Sequence, residues 1–394
     1  MRRPNHKLEF GLGGLGSSFG SLGALSGGGP APIFHAALTS DLLDAYGVGT
    51  PTFTRATAAN MEVEGILIPY ASGEARIHPT YGLLMEGATE NECLYSEDLT
   101  NAAWAKSNIT VNSTSTIDPF GNSSTTIEIE ATAGNGTILQ TVTKASEANT
   151  NSVYLKRVSG TGNVDITIDG GSTWATKTLT SQWQRFEVTQ TLANPQFGVR
   201  IVTSGDKVAM DCSQLEDHPT PNPQVASSYV GPTTSAAVTR NLDQLSYAGN
   251  WDVLIPDSEG ALFCKVTAIH NGDTYYPGIM SFRLVTAAAM YHQPTLLIID
   301  DGTNSSSTAH QRAKNTTRGY ATRWSSADSE VQAFVNGTAA TASGGYVGSW
   351  NRNPLDTMQI GWSDTNRSIW GYIKELKAYQ EDPGANFLTT ATAS

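Results

Sequence analysis

The chain has 394 residues, more than one hydrophobic core normally organises, so two or three domains are expected. Its net charge of −12, with no basic cluster beyond Arg2, Arg3, His6 and Lys7, argues against a phosphate-backbone partner. Only 15% of residues are charged, and Gly, Ser, Thr and Asn are abundant, which suits short strands and polar turns and excludes long helices. No apolar run reaches the roughly 18 residues of a membrane span, and the first residues lack the apolar core of a signal peptide. Three widely spaced cysteines, Cys93, Cys212 and Cys264, show no zinc-ligand spacing. They read as free buried thiols, with a single Cys93–Cys212 bridge as the alternative.

Residues 1–32 form a glycine-rich tract in which Phe10, Leu12, Leu15, Phe19, Leu22 and Leu25 recur. Alone it cannot offset its own ordering entropy. On a partner, those side chains would fill pockets while the glycines allow close backbone approach; a plain flexible linker is the alternative. Gly11, Gly13 and Gly16 spell a dinucleotide-type string, and Gly16–Gly20 a nucleophile-elbow string. Neither has the strand before it and the helix after it that the chemistry requires.

Residues 33–92 read as a small extended connecting region, with strands starting near Ile33 and Gly65 and one helical turn over residues 41–46. Arg55, Arg76 and Glu86 within it read as a structural ion pair, because no nucleophile or His–carboxylate pairing accompanies them. Residues 93–220 alternate apolar and polar side chains in seven stretches, around Ile127, Leu139, Val153, Ile166, Phe186, Val199 and Ala209. Many short strands separated by turn signals predict a β-sandwich. Trp183 sits at the exposed start of a late strand.

Residues 221–247 form a proline-rich linker that is expected to hold neighbouring domains apart. Residues 248–394 carry a second β pattern, with strands expected around Phe263, Ile298, Ala321, Phe334, Gln359 and Glu375.

Four elements occur in a fixed order: Phe53-Thr54-Arg55-Ala56; Gly82-Leu83-Leu84-Met85-Glu86 running to Leu94-Tyr95-Ser96-Glu97-Asp98; Gln214-Leu215-Glu216; and Ser228-Tyr229-Val230-Gly231-Pro232-Thr233 followed by Ala237-Val238-Thr239-Arg240. Together they resemble the junctions that flank a carbohydrate-binding-module-like jelly roll in bacteriophage tail-fibre and virion-surface proteins. The C-terminal stretches Val335-Asn336-Gly337, Gln359-Ile360-Gly361 and Gly371–Tyr379 resemble the closing strands of a concanavalin-like or laminin-G-like domain. The resemblance implies an all-β chain: two tandem β-sandwiches after an extended N-terminal anchor. It also implies a place on the virion surface, other virion proteins as partners through residues 1–32, and a homo-oligomer, with a trimer favoured.

Sugar-binding sandwiches stack aromatic faces on pyranose rings and add a few hydrogen-bonding side chains. The glycan-binding candidates are Trp350, Asn351 and Arg352 in one loop, Trp362, Asp364 and Asn366 in a second, Tyr275 and Tyr276 in a third, and Trp174 in the jelly roll. Trp324 and Trp370 read as core plugs. Asp300 and Asp301 in an acidic turn are a weak calcium candidate that matches no EF-hand spacing; no other cofactor is implied. Nothing resembles the facing carboxylates of glycoside hydrolysis, so no catalytic residue is named and the chain reads as a non-enzyme. Adhesion to host-surface carbohydrate is the first reading. Head-decoration or tail-structural packing without glycan binding is the alternative, and a secreted glycan hydrolase is a further one.

Overall fold

The computed structural model describes residues 30–218, 224–270, 278–281, 289–293, 296–300, 305–309, 313–348, 357–361 and 368–393. It is an all-β molecule with two main apolar cores. All seven stretches predicted between residues 93 and 220 are strands, and so are all six predicted beyond residue 248.

The jelly roll consists of two five-stranded antiparallel sheets. One runs Gln184–Leu192, Glu147–Ser159, Lys207–Asp217, Ser123–Ala131, Ile109–Ile117. The other runs Ala175–Lys177, Val164–Thr167, Gln196–Ile201, Gly136–Thr141, Ala105–Ser107. Alternate side chains from each sheet, such as Ile129, Leu155, Ile166 and Val199, meet between them. Trp104 closes the core, its ring edge-on to Phe197 at 5.9 Å.

The second sandwich is not built from the C-terminal part alone. Strand Phe34–Ala37 pairs along Gly371–Tyr379, as does Gly82–Met85, and Thr50–Thr54 pairs with Gln244–Ala248. Phe34 packs on Tyr247 and Trp251 at 4.8 and 5.4 Å inside the same core as Trp324 and Ile373. Much of the stretch read as an extended connecting region over residues 33–92 is therefore sheet. The physical reason is burial: Phe34, Leu83 and Met85 are fully covered only inside this core. The sandwiches are nested rather than strictly tandem, because the jelly roll is inserted between two segments of the other fold. Residues 41–46 make turns in place of the expected helical turn, because the Asp44 carboxylate accepts the backbone N–H groups of His35, Tyr46 and Val48.

The described part of the proline-rich segment, 224–247, is no free spacer. Strand Val238–Arg240 pairs with Thr89–Asn91, and Tyr229, Arg240 and Asp243 are buried. Helix Ala385–Ala393, which no sequence signal marked, covers the outer face of the second sandwich, Leu388 packing on Phe263 and Phe334. Trp324 and Trp370 are core residues, as the sequence suggested. All three cysteines are free and buried, so the alternative bridge does not form.

Candidate functional site

The four recognisable elements converge where the jelly roll meets the second sandwich. Arg76 Nη1 lies 2.7 Å from Glu86 Oε2, and Nη2 lies 2.5 Å from Asp243 Oδ2. Arg55 reaches Asp243 Oδ1 at 3.1 Å, and Arg240 approaches Glu86 at 3.3 Å. These side chains are essentially unexposed. Burying a charge is tolerable only with partners of opposite sign and hydrogen bonds to the remaining polar atoms. Arg55 also donates to the carbonyls of Thr57 and Ala71, and Arg76 to that of Asn60. Ser228 donates to Glu86 from both its backbone N–H and its hydroxyl. Burial alone would raise the Glu86 carboxyl, but Arg240, Arg76 and Ser228 together hold it down to about 2. The ion-pair reading of Arg76 and Glu86 is thus what the structure contains, and Arg55 pairs instead with Asp243.

A second set of bonds ties the jelly roll to the same junction. Glu216 accepts from Thr89 and Ser227, Gln214 accepts from the Val230 N–H, and Asn91 donates to the carbonyls of Ser213 and Val230. The resemblance therefore rests on residues whose common task is to hold this joint.

Above the joint opens a cleft of ≈ 560 Å³. On one side stand Tyr154, Trp183 and Glu187 of the jelly roll, and on the other Tyr81 and Tyr372 of the second sandwich. The hairpin Ala59–Val63/Ile66–Tyr70 forms an end wall with Glu62 and Leu67. Its two-residue turn, Glu64-Gly65, has positive φ at both positions, the geometry that suits strand twist. The Leu67 N–H donates to the Pro119 carbonyl, fixing the hairpin to the jelly roll.

The Tyr81 and Tyr372 rings lie 5.4 Å apart, tilted 42°, and Tyr81 is 41% exposed. His78 packs on Tyr81 at 4.6 Å and accepts the backbone N–H groups of Thr80 and Tyr81, while burial lowers its affinity for a proton. Gly82 must follow Tyr81. Its φ is +95°, and a Cβ there would sit 2.2 Å from the Ile373 carbonyl oxygen. On the opposite side the Trp183 indole donates to the Ile117 carbonyl at 2.8 Å, and Lys156 lies 4.7 Å over its ring. Tyr154 donates to Glu62 Oε2 at 2.7 Å. Arg185 donates to the Ser227 carbonyl and to Ser152 Oγ, and Lys314 pairs with Glu187 at 3.2 Å. Tyr154 is buried, but the rings of Tyr81, Tyr372 and Trp183 keep part of their surface open; set among carboxylate and amide groups, such rings suit a polyhydroxylated ligand.

Of the sequence-derived glycan candidates, Trp350, Asn351, Arg352, Trp362, Asp364, Asn366, Tyr275 and Tyr276 lie outside the described residues. So do the anchor residues Phe10, Leu12, Leu15, Phe19, Leu22 and Leu25. Trp174 is half-buried, with the Arg200 guanidinium 4.4 Å from its ring centre, so one face is already taken. Asp300 ends strand Leu296–Asp300 opposite Ser305, and Asp301 lies outside the described residues. Among the described residues the group of potential metal ligands that does come together is different: Glu97, Asp211 and Cys212, with ligand atoms within 4.8 Å of one another. Burial, then Glu97 and Asp118, push the Asp211 carboxyl up to about 7. The cleft itself escaped the sequence reading because its lining comes from segments up to 310 positions apart, from Glu62 to Tyr372. Only Trp183, at an exposed strand start, was visible beforehand.

No family model matches this chain, and no curated protein matches it. Among solved structures, the xylan-binding CBM22-1 domain of Xyn10C from Paenibacillus barcinonensis is similar at 14% identity and a TM-score of 0.25, covering 32% of this chain and 92% of that one. The CBM40 of the Ruminococcus gnavus IT-sialidase, bound to α2,3-sialyllactose, is 8% identical at a TM-score of 0.29, covering 35% and 83%. Domains LG4–5 of the mouse laminin α1 chain are 8% identical at a TM-score of 0.23, covering 66% and 96%. Likenesses this weak transfer neither fold nor function.

Proposed function

We propose that this chain is a non-enzymatic bacteriophage virion protein, a tail fibre or surface appendage, that adheres to host-surface glycans. Its N-terminal tract anchors it to other virion proteins, and the cleft above the joint holds sugar. The observation that carries the glycan reading is the cleft: Tyr81, Tyr372, Trp183 and Tyr154 line one open space whose floor is fixed by buried ion pairs. The virion reading is supported by the ordered elements from Phe53 to Arg240. Presented in several copies, as a trimer or on many appendages, weak single-site contacts add up to firm attachment.

The test is binding of the purified chain to host cells and to a glycan array. Tyr81→Ala is expected to reduce binding at least about tenfold, the loss of one good stacking contact, with the fold intact. Unchanged binding by this variant would remove the cleft from the proposal. One observation favours the packing alternative: many of the residues carrying the resemblance, including Arg55, Glu86, Glu216 and Arg240, are buried in the joint. A head-decoration or tail-structural protein needs the same joint without a ligand. Copy number and position in a particle map separate the two. Release of soluble sugar from host polysaccharide would overturn the non-enzymatic reading.

A further inference from the structure

The charges in the cleft are not equally available, and the imbalance selects among glycans. Resting on the reading of the cleft as a glycan site, we propose that it takes uncharged saccharides and rejects anionic ones such as uronates and sialylated chains. A carboxylate-bearing sugar needs a cation with free donors. The cations at the cleft are committed. Arg185 directs Nη1 to the Ser227 carbonyl and Nη2 to Ser152 Oγ, and its Nε, which has no partner, is buried away from the open space. Lys314 is neutralised by Glu187 at 3.2 Å. Lys156, beside the cleft, lies over Trp183 and donates to the Ile117 carbonyl.

The exposed charge left without an ion-pair partner is negative, Glu62, whereas Arg185, which keeps its positive charge beside neutral partners, is half-buried. Glu62 gives Oε2 to the Tyr154 hydroxyl, and among the described residues no donor reaches its Oε1. That oxygen accepts a sugar hydroxyl in a charge-assisted bond, stronger than a neutral one. A ligand carboxylate in its place meets like charge in a partly desolvated space, which is discrimination by repulsion. The other amides at the rim are that of Asn315, which both donates and accepts, and that of Gln184, whose Oε1 already accepts from the Thr180 N–H and hydroxyl and whose Nε2 donates; both match hydroxyls. A volume of ≈ 560 Å³ falls within the range of about 300–1,000 Å³ for small-ligand sites.

The experiment is calorimetric titration of the full chain with matched neutral, uronate-containing and sialylated oligosaccharides, for the native protein, Glu62→Gln, Glu62→Lys and Tyr81→Ala. The expected result is binding of a neutral oligosaccharide with no measurable binding of the acidic ones. Glu62→Gln should weaken the neutral ligand about tenfold, and Glu62→Lys should admit an acidic ligand. Circular dichroism on each variant keeps a folding defect from passing as a binding effect. If acidic and neutral ligands bind alike, or Glu62→Gln and Glu62→Lys change neither affinity nor preference, while Tyr81→Ala still weakens binding, the charge selection is wrong and the cleft reading stands. If Tyr81→Ala leaves every affinity unchanged, or no saccharide binds, the cleft reading fails and the selection with it.

Discussion

Glu86 and Tyr81 are five residues apart in sequence, yet one belongs to the floor of the cleft and the other to its wall. Glu86 is 1% exposed and bonded by Arg76 and Ser228. Tyr81 is 41% exposed, its ring packed on those of His78 and Tyr372 and its backbone N–H bonded to His78. The floor is specified: every charge needs its partner, and removing one leaves another buried without compensation. The wall at Tyr81 is more permissive, since this ring contributes to stability through partial burial and carries no buried charge. A joint of this kind constrains sequence strongly whatever the cleft binds, so the recognisable residues report on assembly of the two sandwiches and the ligand is read from less conspicuous side chains.

The sharpest way to break this contrast is in the floor. Asp243→Ala leaves Arg55 and Arg76 buried without their shared counter-ion. It is expected to cost about 3–5 kcal/mol, read from urea unfolding. A loss below about 1 kcal/mol would place the joint among ordinary surface ion pairs. Tyr81→Ala, by contrast, is expected to change stability by no more than about 1 kcal/mol.

Acid provides the next test. The folded-state affinity of Glu86 for a proton is depressed to about 2, below the ordinary glutamate value. Its contribution is therefore fully present above about pH 4.5 and is lost as pH falls towards 2. Stability should decline over that window, and Glu86→Gln, though destabilised throughout, should show a flatter acid limb. Equal acid sensitivity in the variant would assign the decline to other carboxylates.

The smallest effect is expected behind the wall. Asp211 faces Tyr154 across the strand pair Glu147–Ser159/Lys207–Asp217, and its carboxyl is pushed up to about 7. The sign is opposite to that of Glu86: stability is greatest below the ordinary aspartate range and falls as pH rises through 7. Asp211→Asn should stabilise the protein at pH 8 and have no measurable effect at pH 4. Thermal melts at the two pH values check it, and a gain of equal size at both would show that ionisation is not the cause.

The all-β class and most strands were legible in the sequence because strand formation is a local matter. Alternation such as Ile127-Glu128-Ile129 places every second side chain in the apolar core, and turn residues mark the ends. Strands at the margins, Ile109–Ile117 and Ser305–Ala309, were missed because Asn-, Ser- and Thr-rich strands carry little apolar contrast. The ion pair of Arg76 with Glu86 was also legible, as charges in an otherwise apolar stretch with no catalytic company.

The sequence could not reveal that Phe34 and Leu83 belong to a core completed by Trp324 and Ile373, because strand pairing over such separations is fixed by long-range burial and leaves no local mark. It could not reveal the cleft for the same reason. Glu62, Tyr81, Trp183 and Tyr372 become one surface only after the joint closes. Local patterning thus determined which segments are strands, and tertiary burial decided which strands share a sheet and which side chains share a site.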